Sequence, residues 1–298
     1  MNDAVIDALR QAGRVARKVR EKSLSIAREG VRLTEVCDIL EGLIIDEGAK
    51  PAFPCNICIN DVAAHYTPTI GDTSIIFPRS LVKIDIGVCV DGYIADTAIT
   101  ISLDPALQAM VEAVNTALLE AVKIIKPGVQ TSTIGGVIQQ VITSRGFKPI
   151  RNLTGHEIDR YNLHAGLSIP NVASARGEKL QLGHIYAIEP FATTSDGGGE
   201  VVSSDIVTIY RINAGKLKFG KLDEEEKKFL EHMYEEFDSL PYTPRWINGF
   251  EKFSKIHEKM VKTGRIYSYP VLVERRGKPV AQAEHTVVVT ENGCEVIT

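Results

Sequence analysis

The chain has 298 residues, 44% apolar and 24% charged, with a formal net charge of −4, which are the proportions of an ordinary globular protein large enough for one large core or two smaller ones. That charge gives no basic field for nucleic acid or anionic lipid, the longest apolar runs are strand-length, and MNDAVIDALRQAG lacks the apolar core of a signal peptide. Cys37, Cys55, Cys58, Cys89 and Cys294 are odd in number and strewn through helix and strand patterns, which suits a reducing cytoplasm.

A first long helix is expected from about Asp3 to Ala27. The segment that follows, 27–51, aligns without a gap on 125–149, an offset of 98: Gly30/Gly128, Val31/Val129, Gly48/Gly146, Lys50/Lys148 and Pro51/Pro149 are identical. In each copy a long helix precedes a glycine, a Ser or Thr is expected to cap a second helix, and glycine ends it. The second long helix starts at Asp104-Pro105 and stops before Pro127-Gly128. Strands follow in both halves, so the fold class expected is α+β: two related halves sharing one mixed or antiparallel sheet, with helices over its outer face. Within the first strand region Cys55-Asn-Ile-Cys58 is a lone CxxC without a second pair and reads as strand filler.

SLVKIDIGVCVDGYIADTAITISL alternates on both sides of Asp91-Gly92, a strong hairpin signal. With Asp91 and Gly92 as the turn, Val90 faces Tyr93, Asp96 faces Gly87 and Asp85 faces Ala98. The two aspartates then lie on one face as diagonal neighbours, with small partners that leave room for a metal and its water. Downstream come His156 in TGHEID, His164 in YNLHAG, and two strands, 183–193 and 203–213, flanking the turn-rich SDGGGE, expected to be a mobile hairpin or a binding loop. Residues 215–265 read as a charged helical insertion carrying the only Trp, and strands resume at YPVLVERRGKPVAQAEHTVVVT. There Glu284 points away from His285. The expected organisation is one catalytic domain, 1–298, with an N-half of about 1–103, a C-half of about 104–214 plus 266–298, and the insertion between.

Asp85, Asp96, His156, Glu189 and Glu284 thus lie in order along the chain, four of them in segments that read as strand. Carboxylate is depleted from strands and costly to desolvate unless paired, so the recurrence calls for a cation. His65, carried forward by the repeat offset, falls one residue from His164, so the halves supply related histidines on either side of the metal centre.

FPCNICINDVAAHYTP, KIDIGVCVDGYIADTAIT, TGHEIDRYNLHAGLSIPNV, YAIEPF and QAEHTVVV resemble, in order and over essentially the whole chain, the signature blocks of the methionine aminopeptidases, most closely type II in its archaeal form without an N-terminal extension. The resemblance implies the pseudo-twofold "pita-bread" fold and hydrolytic removal of initiator methionine from nascent chains with a small second residue. Four carboxylates and one imidazole suit two divalent ions (Co, Mn, Fe or Zn) better than one. By resemblance Asp96 and Glu284 bridge them, Asp85 is the bidentate ligand of one, and His156 with Glu189 holds the other. Glu189 stands at the family's general-base position, His65 and His164 at substrate-contacting positions, and Phe53, Leu163 and Tyr269 at positions lining its methionine pocket. A cytoplasmic monomer is expected, with N-terminal Met-peptides as partners and the ribosome as a further one. The alternatives are an Xaa-Pro peptidase of the same fold, which generally carries a domain before its core where here the metal hairpin starts at residue 81, and a non-catalytic binding protein, whose kind loses metal ligands.

Overall fold

The computed structural model describes residues 3–216 and 222–298; within the expected insertion, 217–221 therefore lie outside the described residues. The N-terminal half runs α1 (Asp3–Ile26), α2 (Leu33–Asp46), β1 (Lys50–Ile59), β2 (Val62–Ala64), β3 (Leu81–Val90) and β4 (Tyr93–Ser102). The next half runs α3 (Gln108–Lys123), α4 (Thr131–Ser144), β5 (Lys148–Pro149), β6 (Thr154–Ile158), β7 (Ser168–Pro170), β8 (Ile185–Ile188), β9 (Phe191–Thr193) and β10 (Val201–Ile212). Then come α5 (Glu224–Phe237) and α6 (Phe250–Lys262), and the strands β11 (Ile266–Glu274), β12 (Val280–Gln282), β13 (His285–Thr290) and β14 (Gly293–Val296).

The repeat read from the sequence is structural. α2 and α4 are each 14 residues long and begin at 33 and 131, the same offset of 98 residues. Gly30 and Gly128 enter the two helices at φ 80° and 82°, and Gly48 and Gly146 leave them at 75° and 83°, a region that favours glycine because it has no Cβ. The caps differ from expectation. Arg32 and Gln130 occupy the N-cap positions without a side-chain hydrogen bond; instead each forms an isolated bridge, to Ile75 and to Lys179. Backbone pairing supplies what a hydroxyl would otherwise have supplied.

Every strand pair is antiparallel, but the ladders fall into four sheets rather than one. The halves meet at a seam between β4 and the β12–β13 segment, stitched by threonine hydroxyls. Thr286 Oγ1 accepts from Asp96 N at 2.7 Å and donates to Asp96 O at 2.8 Å. Thr100 Oγ1 does the same for Gln282, at 2.8 and 2.6 Å, and Glu284 N donates to Ala98 O at 3.1 Å. A hydroxyl that both accepts and donates replaces a direct ladder bond where side chains must fit between two strands.

α1 and α2 cover the N-terminal strands in one core cluster with Leu9, Val19, Leu40 and Ile84; α3 and α4 cover the other half with Val114, Ile138 and Tyr186. A third cluster, including Leu230, Met233, Tyr242 and Met260, belongs to the α5–α6 segment, which springs from the paired ends Ile212 and Ile266 of β10 and β11. The capping box of Asp223 and Glu226 starts α5. This segment is pinned to the N-terminal half by Arg245, whose guanidinium donates to both carboxylate oxygens of buried Glu41 at 2.8 and 2.9 Å. Trp246 Nε1 donates to the same carboxylate at 2.8 Å, and Cys55 N at 3.0 Å. Among the described residues no helix is long and apolar enough to cross a membrane.

Candidate metal centre and substrate cleft

The β3–β4 hairpin has the expected register throughout: Val90 pairs Tyr93, Gly87 pairs Asp96 and Asp85 pairs Ala98. Asp91 and Gly92 turn at φ 52° and 87°, the doubly left-handed turn that Asp-Gly favours. Extending the row across neighbouring strands aligns Asn56, Asp85, Ala98 and Glu284 on one face. The methyl of Ala98 is all that stands between two carboxylates in that row. Gly87 does not play the matching part. A Cβ there would fall no more than 2.9 Å from Cδ1, Cε1 and Cζ of Phe53, so the space the glycine leaves is filled by an aromatic ring and not kept for a metal.

His156 lies within β6, but Glu189 and Glu284 do not sit in strands. Each occupies a short break, Glu189 between β8 and β9 and Glu284 between β12 and β13. Pro190 follows Glu189 and has no N–H to continue a ladder. The breaks turn both carboxylates inward. One ligand atom from each of Asp96, His156 and Glu284 lies within 4.8 Å of the others. His156 Nε2 is 3.6 Å from Asp96 Oδ2 and 3.6 Å from Glu189 Oε1. That is too long for a hydrogen bond, yet about the separation of two atoms that each lie about 2.1 Å from one ion.

Burial pushes the Asp85 carboxyl up to about 7. Asp96, Glu189 and Glu284 are held well above the usual carboxylate range by burial first and by repulsion from their carboxylate neighbours second. His156 is pushed down to about 4 by burial, which leaves a neutral imidazole able to give a lone pair to a cation. Asp85 Oδ1 and Asp96 Oδ1 are buried without a hydrogen-bond partner. Crowded anions with orphaned oxygens, beside a neutral imidazole, are the donor set of a hard or borderline divalent metal.

The cluster forms one wall of a cavity of about 280 Å³, room for about one amino-acid side chain and the peptide bond beyond it. Phe53, Leu163, His65, His164 and Tyr269 all line it, as does Pro241. His65, at the end of β2, has the left-handed φ of 65°, and its Nδ1 lies 3.3 Å from Pro270 O. Its ring meets Tyr269 edge-on at 5.5 Å, and the His164 ring is 4.4 Å from that of His156. Burial lowers the pKa of His65; His164 is lowered by desolvation and by His156, His65 and Arg211. Both are neutral at neutral pH. His285 lies apart from the cluster, its Nδ1 2.9 Å from Thr298 Oγ1 and 3.1 Å from Arg20.

Several cavity residues had no signal in the sequence. Pro241 is contributed by the segment between β10 and β11, and Asn56, Asn152 and Thr154 by ordinary strand and turn sequence. Only the hairpin register, extended by one strand through the β1–β3 pairing of Asn56 with Asp85, could have found the first asparagine. The SDGGGE turn is tied down and none of its residues lines the cavity: Gly198 N donates to Glu274, and Lys148 and Arg151 donate to Gly197 O and Gly198 O. Cys55 and Cys58 are buried in β1.

Carboxylates and an imidazole gathered at the seam of two antiparallel half-repeats define a metallopeptidase, a class whose chemistry depends on divalent metal, and the model of metallopeptidase family M24 matches residues 7–291. A methionine aminopeptidase of Methanocaldococcus jannaschii is 41% identical over 289 residues, 97% of this chain and 96% of that protein. The fold matches a thermophilic Arx1 with a TM-score of 0.85 at 18% identity, over 100% of this chain and 91% of that one. It matches methionine aminopeptidase from Thermotoga maritima with a TM-score of 0.73 at 21% identity, over 100% and 98%. At those identities the two structures establish the shared pita-bread architecture alone. Within family M24 this chain belongs to the methionine aminopeptidases, in their archaeal form.

Proposed function

We propose that the chain removes the N-terminal methionine from nascent proteins whose second residue is small, using two divalent ions held by Asp85, Asp96, His156, Glu189 and Glu284. The observation that carries this reading is the buried cluster of Asp96, His156 and Glu284, flanked by Asp85 and Glu189, opening on a cavity sized for one side chain. Four carboxylates against one ion leave a net charge of −2, and against two ions none, which favours the pair. Asp96, opposite Thr286, and Glu284, opposite Ala98, are diagonal neighbours across the seam and would be the carboxylates best placed to be shared between the ions. Asp85 would hold one ion, and His156 with Glu189 the other. Such ions supply Lewis acidity toward a peptide carbonyl and an attacking water; cobalt, manganese, iron and zinc all suit the donor set.

The protein's own groups do the rest. Glu189 accepts the proton of the attacking water and passes it to the leaving amine. His164, neutral and on the cavity wall, donates to the carbonyl oxygen as charge develops there, a bond stronger in the transition state than in the ground state. His65, fixed by Pro270, contacts the scissile amide. Phe53, Leu163 and Tyr269, with Pro241, enclose the methionine side chain and exclude water. We place the enzyme in the cytoplasm as a monomer working on chains near the ribosome, with residues 215–265 as a helical insertion of a single catalytic domain. The test is hydrolysis of Met-Ala-Ser against an Xaa-Pro peptide by the metal-loaded enzyme and after chelation. Cleavage of Met-Ala-Ser alone, lost with the metal and restored by adding it back, supports the reading; preference for Xaa-Pro, or activity indifferent to chelation, overturns it.

A further inference from the structure

Lys83 is a buried charged group of the N-terminal half that the hydrolysis leaves unused. It lies on the same face of β3 as Asp85, with its side chain 1% exposed, and among the described residues no carboxylate pairs with it. Its ammonium donates instead to two backbone carbonyls, Asn60 O at 2.9 Å and Val280 O at 2.8 Å. A buried ammonium bonded only to neutral carbonyls recovers less than it loses in leaving water. A methionine would fill the same strand position without that cost, so what Lys83 contributes has to be sought in the carbonyls it joins.

Those carbonyls belong to two segments far apart in sequence. Asn60 forms the turn between β1 and β2, in the left-handed region at φ 51°. Its N–H donates to Leu81 O, its side-chain oxygen accepts from Leu81 N, and its carbonyl also accepts from Val280 N at 3.0 Å. Three residues of β2 then lead to His65, itself left-handed, which holds its place only because its surroundings over-determine it. Val280 opens β12, which the Thr100 hydroxyl locks to β4 through Gln282. We propose that Lys83 is a positioning residue for the reaction: its ammonium clamps the turn that carries His65 to the fixed start of β12, and so holds the imidazole at its working distance from the metal centre. Hydrogen bonds from a charged donor are the strong ones, and here one goes to the base of a short strand ending in a strained histidine while the other goes to the start of β12. This inference rests on the reading of His65 as a group that touches substrate.

The test is a double-mutant cycle of Lys83→Met with His65→Ala on metal-loaded protein, reading metal content, kcat and KM for Met-Ala-Ser. Lys83→Met is expected to keep its metal and lose at least about 10-fold in kcat, part of what losing a transition-state donor costs, with KM changed little. In the His65→Ala background the same substitution should cost less than twofold, because nothing remains for it to position. Lys83→Ala, which leaves a cavity, should regain kcat with added methylammonium in a saturable way, a rescue that lost packing alone does not permit. Should Lys83→Met fail to fold, the cycle with Lys83→Arg decides by the same criterion. Losses that multiply in full, loss of metal, or no rescue overturn the proposal. Wild-type activity of His65→Ala by itself would instead overturn the reading of His65, leaving the two failures distinguishable.

Discussion

Gly87→Ala adds one methyl at the point where the metal hairpin touches the wall of the cavity. The new Cβ would lie no more than 2.9 Å from three atoms of the Phe53 ring, while non-bonded carbons rest about 3.5–4.0 Å apart. The ring edge must therefore retreat by roughly 1 Å or more. The core side of Phe53 is closely packed and the cavity lies on its other side, so the ring moves into the space meant for the substrate side chain. Overpacking of this kind costs about 1–3 kcal/mol. Directed at a binding pocket, that is a rise in KM of roughly 5- to 150-fold, with metal content and the rate at saturation little changed. The assay is steady-state hydrolysis of Met-Ala-Ser by Gly87→Ala and by Gly87→Ala/Phe53→Leu. The smaller leucine gives the methyl its room and should bring KM most of the way back. An unchanged KM in folded Gly87→Ala, or a double variant no better than the single, would refute the reasoning.

Asp96→Asn should abolish turnover and lower the number of ions bound, as read by elemental analysis; two tightly held ions and a near-normal rate would remove the bridging role. His65→Ala and His164→Ala should each keep their metal while kcat/KM falls roughly 10²–10³-fold, and metal loss from either would move that residue into the ligand set. Tyr269→Ala should raise KM for Met-peptides and relax selection of the first residue modestly, since an apolar wall distinguishes side chains one methylene apart by only ~1–3 kcal/mol; unaltered kinetics would place Tyr269 outside the pocket's function. Asp85 titrates at about 7 in the metal-free fold against an ordinary 3.8, so between those values the native state holds more protons than the unfolded one. Metal-free stability from this site therefore falls as pH rises through that window, while a cation takes the place of the proton. The gap in Tm between metal-loaded and chelated protein should widen from pH 4 to pH 7, and a constant gap would count against a metal at these carboxylates.

How much of this was legible depended on whether a residue's neighbours were close in sequence. The hairpin around Asp91-Gly92 could be registered residue by residue, because turn type and alternation are local signals. The repeat survived as glycines, since a left-handed φ leaves few substitutes at Gly48 and Gly146. Glu189 and Glu284 read as strand residues because both flanks alternate; that Pro190 ends one ladder and the seam with Ala98 interrupts the other is a tertiary fact. Gly87 illustrates the same limit: a missing Cβ marks a close approach, but only the fold says that Phe53 is what approaches. Pro241 carried no chemical signal, and only the docking of the α5–α6 segment on Glu41 brings it to the cavity.

The threonine-stitched seam also governs when the enzyme can become an enzyme. Asp85 and Asp96 leave the ribosome long before Glu284, and the bonds that align them, Asp96 with Thr286 and Ala98 with Glu284, are long-range, the first pair 190 residues apart. Contacts of such sequence separation form late and slowly, because the loop must close before they contribute anything. A half-made chain can build its first hairpin yet hold only part of a metal site, so tight metal capture coincides with the last docking event of folding. Refolding followed by metal uptake should therefore lag behind refolding followed by far-UV circular dichroism, and the hydrolytic centre stays silent until the two halves have closed on each other.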